Sequence, residues 1–496
     1  MDRVGLDVVS NLYRFGEAVA GSVEERRSVE IIRGFLEELC DNVEVEFVPV
    51  TSWSEQLCTL EVDGYRVRCS AHPPTESVDV ESEAVVLSID DVFRGKLEEV
   101  RDRIAVVTGV EDPDDVAEAT AILGGLGARA AVYVDRYEAY RRVVVCSYAI
   151  PNYVSSSAAI PAVHVPRSAL KLIVRGSRLR IYVRARARRG HGMNVLGDLF
   201  GSREELIYVS AHHDHWFWGC VDDLVGVAVA LGVARDVAGR RMRKGVRIAI
   251  FGAEEGLPET LSPFYWAVGS RMHVLRSWRR VGDRIELVLN IDVPYGTPRL
   301  AATGLEALGI SRYLGLEVDS YGFIYDTFPF AALGVPTITI ENFEKVLSSG
   351  IYHSTLDDIA ALDAATYRGS LETAIRILRL VDRFDAARFA DLGLLEAAQQ
   401  LVNRGAIQSI AMRGVERCLS YGVSKEVLRV VNSAIFGYAI DRSFLTRPGV
   451  REIGGVVPWG PDTVEVPTGM DIKGWRRAYE KALSILNSIY FACRGS

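Results

Sequence analysis

The sequence predicts an α/β fold in which a mostly parallel, mixed sheet is sandwiched by helices. From residue 194 to about residue 384, short β-branched runs alternate with apolar stretches of helical period. We expect strands at 206–210, 246–251, 285–291 and 337–340, and helices at 224–237 and 367–381. Strands that alternate with helices favour a parallel sheet that is covered on both faces. Ionisable residues follow several of these strands, at the end where such sheets bind ligands.

The chain divides into four regions. Residues 1–51 carry a helical pattern, broken at Gly21-Ser22, and then a strand, so we expect them to join the central domain. Residues 52–188 hold short strands, turn residues and one helix near 114–126, which predicts a strand-rich insertion. Residues 189–384 hold the alternating α/β pattern. Residues 385–496 predict a helical C-terminal extension that contains a Pro/Gly-rich loop at 446–470.

Composition and charge exclude several classes of protein. Hydrophobic residues make up 49% and charged residues 25% of the 496 residues, values typical of a globular protein with a large core. The formal net charge of −8 argues against a nucleic-acid partner. No apolar run reaches the ~18–20 residues of a membrane span, and the N-terminus lacks a signal-peptide pattern. We therefore expect a cytoplasmic protein with neither a membrane nor a nucleic-acid partner.

Most cysteines, and the histidines at 213 and 215, are expected to be structural. The seven cysteines form no Cys-x-x-Cys pair, so reduced and mostly buried thiols are predicted, with Cys220 a packing residue rather than a nucleophile. Alternation along the strand turns His213 away from the face of His212, and neither His213 nor His215 is expected to bind a metal.

A group of ionisable residues shares one local feature, which is a position at the end of a hydrophobic strand or the start of a helix. The group consists of His212, Asp214, Asp222, Glu254, Glu255, Asp292 and His353. Two histidines with three carboxylates form a ligand set for two divalent ions. Two dications repel each other unless an anion bridges them, and one aspartate can do so. Water between them would become a hydroxide nucleophile, and a free carboxylate would move its proton to the leaving amine.

The pattern AHHDH…GCVDDLVG…FGAEEG…LNID…IYHSTLDD resembles metallopeptidase family 28, a family of co-catalytic di-zinc exopeptidases. Over about 194–384, NVLG, His-x-Asp, Asp-Asp-x-x-Gly, Glu-Glu-Gly, Asn-x-Asp, Asp-x-x-Pro-Phe (326–330) and Tyr-His-Ser-x-x-Asp occur in the family's order. The resemblance implies a zinc-exopeptidase type of fold, with 189–384 as the catalytic di-metal peptidase domain. Residues 52–188 are similar to a protease-associated domain, on the segments GLGARAAVYVDR and IPAVHVP.

The resemblance implies positions for two zinc ions. Asp222 would bridge the ions, His212 and Asp292 would complete one site, and Glu255 and His353 would complete the other. The peptide bond after Asp222 would be cis. Cobalt or manganese could occupy the same sites in place of zinc.

The resemblance also implies catalytic roles. Glu254 would be the general base that works with the metal-bridging hydroxide. Asp214 would hydrogen-bond His212 and fix its tautomer. Tyr352 would polarise the scissile carbonyl. The predicted function is a zinc aminopeptidase that acts on peptides. The alternatives are a carboxypeptidase or dipeptidase on the same scaffold, and a receptor-like scaffold without catalysis, although the presence of every ligand and of the base argues against the scaffold.

Two features leave the substrate and the assembly open. Gly269-Ser270 follows Glu-Glu-Gly only after the aromatic-rich stretch PETLSPFYWAV, and this stretch and the triplet 216–218 (Trp-Phe-Trp) could line the substrate pocket. The helices predicted in 385–496 carry apolar faces that must be buried. We expect a homodimer built largely through this region, with the long loop 446–470 near the active-site entrance.

Overall fold

The computed structural model describes residues 3–95, 99–113, 115–145, 159–259, 266–320 and 325–393, together with Lys425, Leu428, Arg429 and Asn432. The loop 446–470 and nearly all of the predicted C-terminal extension lie outside the described residues. Leu428 is buried, and Asn432 Oδ1 accepts a hydrogen bond of 2.9 Å from the main-chain N–H of Leu305. Leu428 and Asn432 therefore pack against the central domain of their own chain, while the homodimer stays a prediction.

The α-helices of the described part lie on both faces of the sheet. They are α1 Arg3–Tyr13, α2 Val23–Leu39, α3 Ile89–Phe93, α4 Asp115–Gly125, α5 Val225–Val237, α6 Val268–Val281, α7 Leu305–Tyr313, α8 Phe328–Ala331, α9 Phe343–Ser348 and α10 Ala364–Arg383. Short 3₁₀ turns occur at Arg167–Lys171, Gly282–Arg284, Ile359–Ala361 and Ala386–Phe389. The break predicted at Gly21-Ser22 is confirmed, and Ser22 Oγ caps α2 by accepting a hydrogen bond from the N–H of Glu25.

The described strands form one continuous mixed sheet. They are β1 Asn42–Val62, β2 Tyr65–Arg68, β3 Ser70–Ala71, β4 Val78–Ser88, β5 Ile104–Thr108, β6 Ala130–Val134, β7 Ala162–Val165, β8 Arg178–Leu199, β9 Leu206–His212, β10 Gly245–Phe251, β11 Ile285–Ile291, β12 Arg299–Thr303, β13 Val318–Ser320 and β14 Thr337–Glu341. Their order is β13-β12-β14-β11-β9-β10-β8-β4-β5-β6-β7-β3, with β1 against β8 and β2.

The centre of the sheet is parallel and covered on both faces. β10, β9, β11 and β14 are parallel neighbours, and β8 and β12 flank them in the antiparallel sense. Every residue of β9 and of β11 is buried, as strands covered on both faces require. Side chains of α1, α2, α5 and α10 form a core on one face, and those of α6 and α8 form a core on the other. The predicted α/β fold is confirmed.

Two long strands join the central domain to the inserted region. β1 and β8 pair antiparallel from Asn42 opposite Asp198 to Val62 opposite Leu179. The boundaries predicted at 51/52 and 188/189 fall inside these strands. Beyond them, β4, β5, β6 and β7 form a parallel layer with an apolar core on each face. One core is made with α3 and α4, and the other with β1 and β8. The inserted region is therefore tied to the central domain through shared strands rather than through loose linkers.

The expectation that all cysteines are reduced is wrong for one pair. Cys58 and Cys69 form a disulfide across the hairpin of β1 and β2, with a Cα–Cα distance of 5.0 Å. Cys-x-x-Cys spacing does not detect this pair, because the antiparallel pairing of β1 with β2 brings the two cysteines together. Disulfides are rare in the reducing cytosol of mesophiles, so the cytoplasmic location stays a prediction.

Among the described residues, none of the helices combines the length and the apolar character that crossing a membrane requires.

Two glycine substitutions test the helix packing. A methyl group at Gly309, in α7, would lie 1.8 Å from the carbonyl oxygen of Phe389, whereas a methyl group at Gly34, in α2, would meet no atom within 4 Å. Gly309→Ala should therefore lower the free energy of unfolding by about 1–3 kcal/mol through overpacking. Gly34→Ala should raise it by about 0.4–1 kcal/mol because the unfolded chain loses freedom. Urea unfolding midpoints measure both, and equal midpoints for the two variants would contradict the packing described.

Candidate functional site

The carboxyl ends of neighbouring parallel strands meet at one edge of the sheet. β9 ends at His212, Glu254 and Glu255 follow β10, and Asp292 follows β11 directly. Because these strands are adjacent and parallel, the side chains that follow them face one crevice. The meeting of these side chains at one edge was predicted from the position of each residue at a strand end.

Two more side chains reach this edge from loops. Asp222 lies in the short turn Cys220–Leu224, directly before α5, where the main chain of Asp222 and Asp223 is not helical. His353 lies in the loop after α9 and has a left-handed main chain with φ of +52°. Both residues are buried. The site therefore draws on three strand ends, one helix start and one loop.

Asp222 lies between two histidines and directs one carboxylate oxygen toward each. Its Oδ1 is 3.2 Å from Nε2 of His212, and its Oδ2 is 3.5 Å from Nε2 of His353. Asp292 Oδ1 lies 3.7 Å from His212 Nε2, and Glu255 Oε2 lies 2.9 Å from His353 Nε2. The structure thus forms a His212 cluster (His212, Asp222, Asp292) and a His353 cluster (Asp222, Glu255, His353). In each cluster the candidate ligand atoms lie within 4.8 Å of one another.

The donor atoms of both clusters fit divalent metal ions. Asp222 Oδ2 and Glu255 Oε1 are buried and accept no hydrogen bond within the described part of the chain. Buried oxygens without donors are costly, and a cation would compensate for the missing donors. Each cluster supplies one imidazole nitrogen and two carboxylates. Three such protein ligands are typical of a catalytic zinc ion that keeps one position open.

The acids at this edge are too crowded to ionise freely. Burial is the largest cause that raises the pKa of Glu254, Glu255 and Asp292, and the charges of neighbouring carboxylates raise each pKa further. Desolvation and like charges both disfavour a carboxylate anion. Bound dications would supply the opposite charge and reverse these directions.

The main chain around Asp222 is held by two other acids. Asp357 accepts hydrogen bonds from the N–H groups of Val221, at 2.7 Å, and of Asp222, at 3.1 Å. Asp223 Oδ2 accepts one of 3.3 Å from the N–H of His212. The peptide bond between Asp222 and Asp223 is cis, which confirms the expectation from the family resemblance. Burial and the charge of Asp222 raise the pKa of Asp357 to about 8.

Asp214 contacts His212 through its main chain and the loop after β10 through its side chain. The Nδ1 atom of His212 lies 2.9 Å from the main-chain carbonyl of Asp214, whereas the Asp214 carboxylate is 3.9 Å away. That carboxylate instead accepts hydrogen bonds from the N–H groups of Glu254, at 3.0 Å, and Glu255, at 3.2 Å. Asp214 lies two residues beyond the end of β9, with its carbonyl toward the imidazole and its side chain toward the loop after β10.

Tyr352 lies directly beside the His353 cluster. Its ring stacks on the imidazole of His353 with ring centroids 3.7 Å apart, and Phe343 meets its edge at 5.0 Å. The half-buried ring is thereby held next to the site. Its part in polarising a carbonyl stays a prediction.

The other histidines of the 212–215 run turn away from the clusters. His213 Nε2 lies 2.8 Å from the carbonyl of Met193, and His215 Nε2 lies 3.1 Å from the carbonyl of Gly16. Both side chains are buried and engaged with the main chain. This arrangement agrees with the expectation that neither histidine is a ligand.

The three rings of the aromatic triplet 216–218 differ in their surroundings, and a part in substrate binding stays a prediction. Trp216 and Phe217 are buried in the core of the inserted region, where Trp216 meets Trp53 edge to face. Of the three rings, Trp218 presents a substantial part to solvent, at 40% exposure, and it contacts Tyr13. Trp216 and Phe217 therefore fix the loop before Asp222, and Trp216 also borders a small pocket that Asp214 and Glu255 line.

Asn194, which organises the loop after β10, was not among the predicted site residues. Its Oδ1 accepts a hydrogen bond of 3.1 Å from Gly252 N–H, and its Nδ2 donates to Gly269 O at 3.0 Å and Glu46 Oε2 at 3.1 Å. Asn194 opens the NVLG motif, and Asp357 closes the Tyr-His-Ser-x-x-Asp motif. The sequence predicted neither role. A polar residue inside an apolar strand is nevertheless a signal that its side chain has buried hydrogen-bond partners.

Solved structures share this fold at low sequence identity. A peptidase M28 precursor from Shewanella amazonensis SB2B is similar with a TM-score of 0.63 and 16% identity, covering 76% of this chain and 92% of that one. The zinc aminopeptidase BSAP from Bacillus subtilis gives 0.60 and 17%, covering 76% and 94%. An aminopeptidase from Aneurinibacillus sp. strain AM-1 gives 0.54 and 18%, covering 76% and 93%. No curated protein matches the sequence.

A family model gives the sequence-level match. It covers residues 194–378, and this segment contains every residue of the His212 and His353 clusters together with Glu254, Asp214 and Tyr352. The match and the shared fold agree with the resemblance seen in the motifs. The segment 194–378 matches the model of peptidase family M28, and 76% of the chain shares the fold of a solved member at low identity.

Proposed function

We propose that this peptidase is an aminopeptidase, which releases residues from the amino ends of peptides with the help of two divalent ions. The observation that carries the proposal is the sharing of Asp222 between the two clusters, with one carboxylate oxygen near each histidine, at 3.2 and 3.5 Å. The family match supports peptide-bond hydrolysis. The fold shared with the zinc aminopeptidase of Bacillus subtilis supports the choice of the amino end.

The proposal gives the five clustered residues the role of metal ligands. Asp222 is shared, His212 and Asp292 complete one set, and Glu255 and His353 complete the other. When bound, two zinc ions would polarise the scissile carbonyl and activate the attacking water. Cobalt or manganese could take their place, since imidazole and carboxylate donors suit all three metals.

Glu254 is the proposed general base. It belongs to neither cluster, and its half-buried carboxyl lies beside them in the same loop as Glu255. Its main chain is fixed by the hydrogen bond to Asp214. A carboxylate in this position accepts the proton of the attacking water and delivers it to the leaving amine.

Two residues assist in this proposal. Asp214 orients Glu254 and Glu255 together, because its carboxylate accepts hydrogen bonds from both of their main-chain N–H groups. Tyr352, held by its stack on His353, donates its hydroxyl to the scissile carbonyl oxygen as charge develops there.

Substitution of the two adjacent glutamates separates catalysis from metal binding. Glu254→Gln should keep the metal content of the wild type and lower turnover by about 10²–10⁴-fold, because a positioned proton acceptor is lost. Glu255→Gln should instead lower the metal content, because a ligand of the His353 cluster is lost. Elemental analysis and steady-state kinetics on the same preparations measure both effects. Equal metal content in the two variants would contradict this division of roles.

The choice of peptide end is tested with paired substrates. Amino-acid arylamides with a free α-amine should be cleaved, and dipeptides with a blocked amine should not. Cleavage of the blocked substrates alone would contradict the aminopeptidase assignment and indicate a carboxypeptidase. Cleavage of neither class by metal-loaded protein would favour a scaffold without catalysis.

A further inference from the structure

We propose that Arg141, which belongs to the inserted region, is a positioning residue for the His353 cluster. In this inference the inserted region is part of the metal-binding machinery, because it fixes the loop that carries a proposed ligand. The inference rests on the proposed function only where it assigns a metal ion to that cluster.

Arg141 connects the inserted region to both flanks of His353. Its guanidinium is buried, and Nη2 donates a hydrogen bond of 3.1 Å to the carbonyl of Gly350. Its Nη1 donates to the carbonyl of Tyr352. Its Nε donates to Asp135 Oδ2 at 3.1 Å. One side chain thus ties two carbonyls of the loop to an acid of the inserted region.

The loop around His353 needs such support because its backbone is unfavourable. A non-glycine residue with φ of +52° persists only where its surroundings hold it. The N–H of Arg142 donates a hydrogen bond of 3.0 Å to the carbonyl of His353, and the N–H of Thr355 donates one of 2.9 Å to the carbonyl of Tyr140. The segment 140–142 therefore runs beside the loop and determines its path.

Arg141 is itself fixed from behind by a buried polar chain. Asp135 Oδ2 lies 2.9 Å from Nε2 of His164, whose Nδ1 lies 3.3 Å from Nε2 of His72. The chain ends where the N–H of Val143 donates to Nδ1 of His72 at 3.0 Å. Although burial raises it, the hydrogen bond from His164 and the charge of Arg141 bring the pKa of Asp135 down to about 2. The guanidinium therefore faces an ionised partner.

The contacts of Arg141 require the shape of a guanidinium. Its planar fork reaches Gly350, Tyr352 and Asp135 at once, with donors that point in fixed directions. A lysine ammonium in the same place keeps the charge beside Asp135, but its three donors share one nitrogen and cannot reproduce the planar fork that spans Asp135 and both loop carbonyls. Arg141→Lys therefore removes the positioning contacts without leaving Asp135 as an unpaired buried charge.

Metal titration of Arg141→Lys tests the inference. Metal-free protein is titrated with Co²⁺, and His353→Ala serves as the reference that lacks the ion of the His353 cluster. We expect Arg141→Lys to weaken the binding step that His353→Ala loses by about 10–100-fold, the usual cost of removing a residue that orients a metal ligand. The other binding step should stay as in the wild type.

Arg247→Lys is the matched control. Arg247 is also largely buried and forms a two-pronged ion pair with Asp198, at 2.6 and 2.9 Å, but it lies near the start of β10, away from Glu254 and Glu255. It should leave both binding steps unchanged. Wild-type binding in Arg141→Lys, equal weakening of both steps, or the same loss in Arg247→Lys would each overturn the inference.

A second measurement does not depend on bound metal. Amide hydrogen exchange over residues 348–356 should be faster in Arg141→Lys than in the wild type and in Arg247→Lys, because the loop loses two of its anchors. If wild-type protein binds no ion at the His353 cluster, the proposed function fails. Faster exchange in Arg141→Lys alone would still support the positioning role, and unchanged exchange would overturn it.

Discussion

The repulsion among buried carboxylates is the constraint on which the rest of this site depends. Six acids around the site divide into two groups by what their oxygens face, and Glu254 belongs to neither group. Asp214, Asp223 and Asp357 accept hydrogen bonds from main-chain N–H groups and so hold the loops in place. The acids of the two clusters face histidines instead, and two of them keep buried oxygens without donors. Only the second group needs cations, which is the physical reason to assign the metal ions there.

Much of this arrangement could be predicted from the sequence because it follows from strand order. Parallel neighbours in a doubly wound sheet must bring their carboxyl ends together, so His212, Glu255 and Asp292 meet whatever the details of the loops. The alternation of side chains along β9 likewise turns His213 away from His212. The helix break at Gly21-Ser22 could be predicted because it depends on a few adjacent residues.

What the sequence did not reveal depends on contacts between distant segments. The pairing of β1 with β8 brings Cys58 and Cys69 into a hairpin and carries both strands through the predicted domain boundaries. The burial of Trp216 depends on Trp53 in the inserted region. The same holds for Arg141, whose neighbours in sequence give no sign that it contacts the carbonyls around His353. Such contacts are consequences of the whole fold, whereas motif spacing reports on a few residues at a time.

In the proposed function Asp222 joins two metal ions, and cobalt substitution tests this sharing most directly. Metal-free protein is titrated with Co²⁺ while its absorption and electron paramagnetic resonance spectra are recorded. A shared carboxylate predicts that two equivalents bind and that the second reduces the resonance signal of the first through magnetic coupling. Binding of a single equivalent, or of two ions with independent signals, would contradict the account.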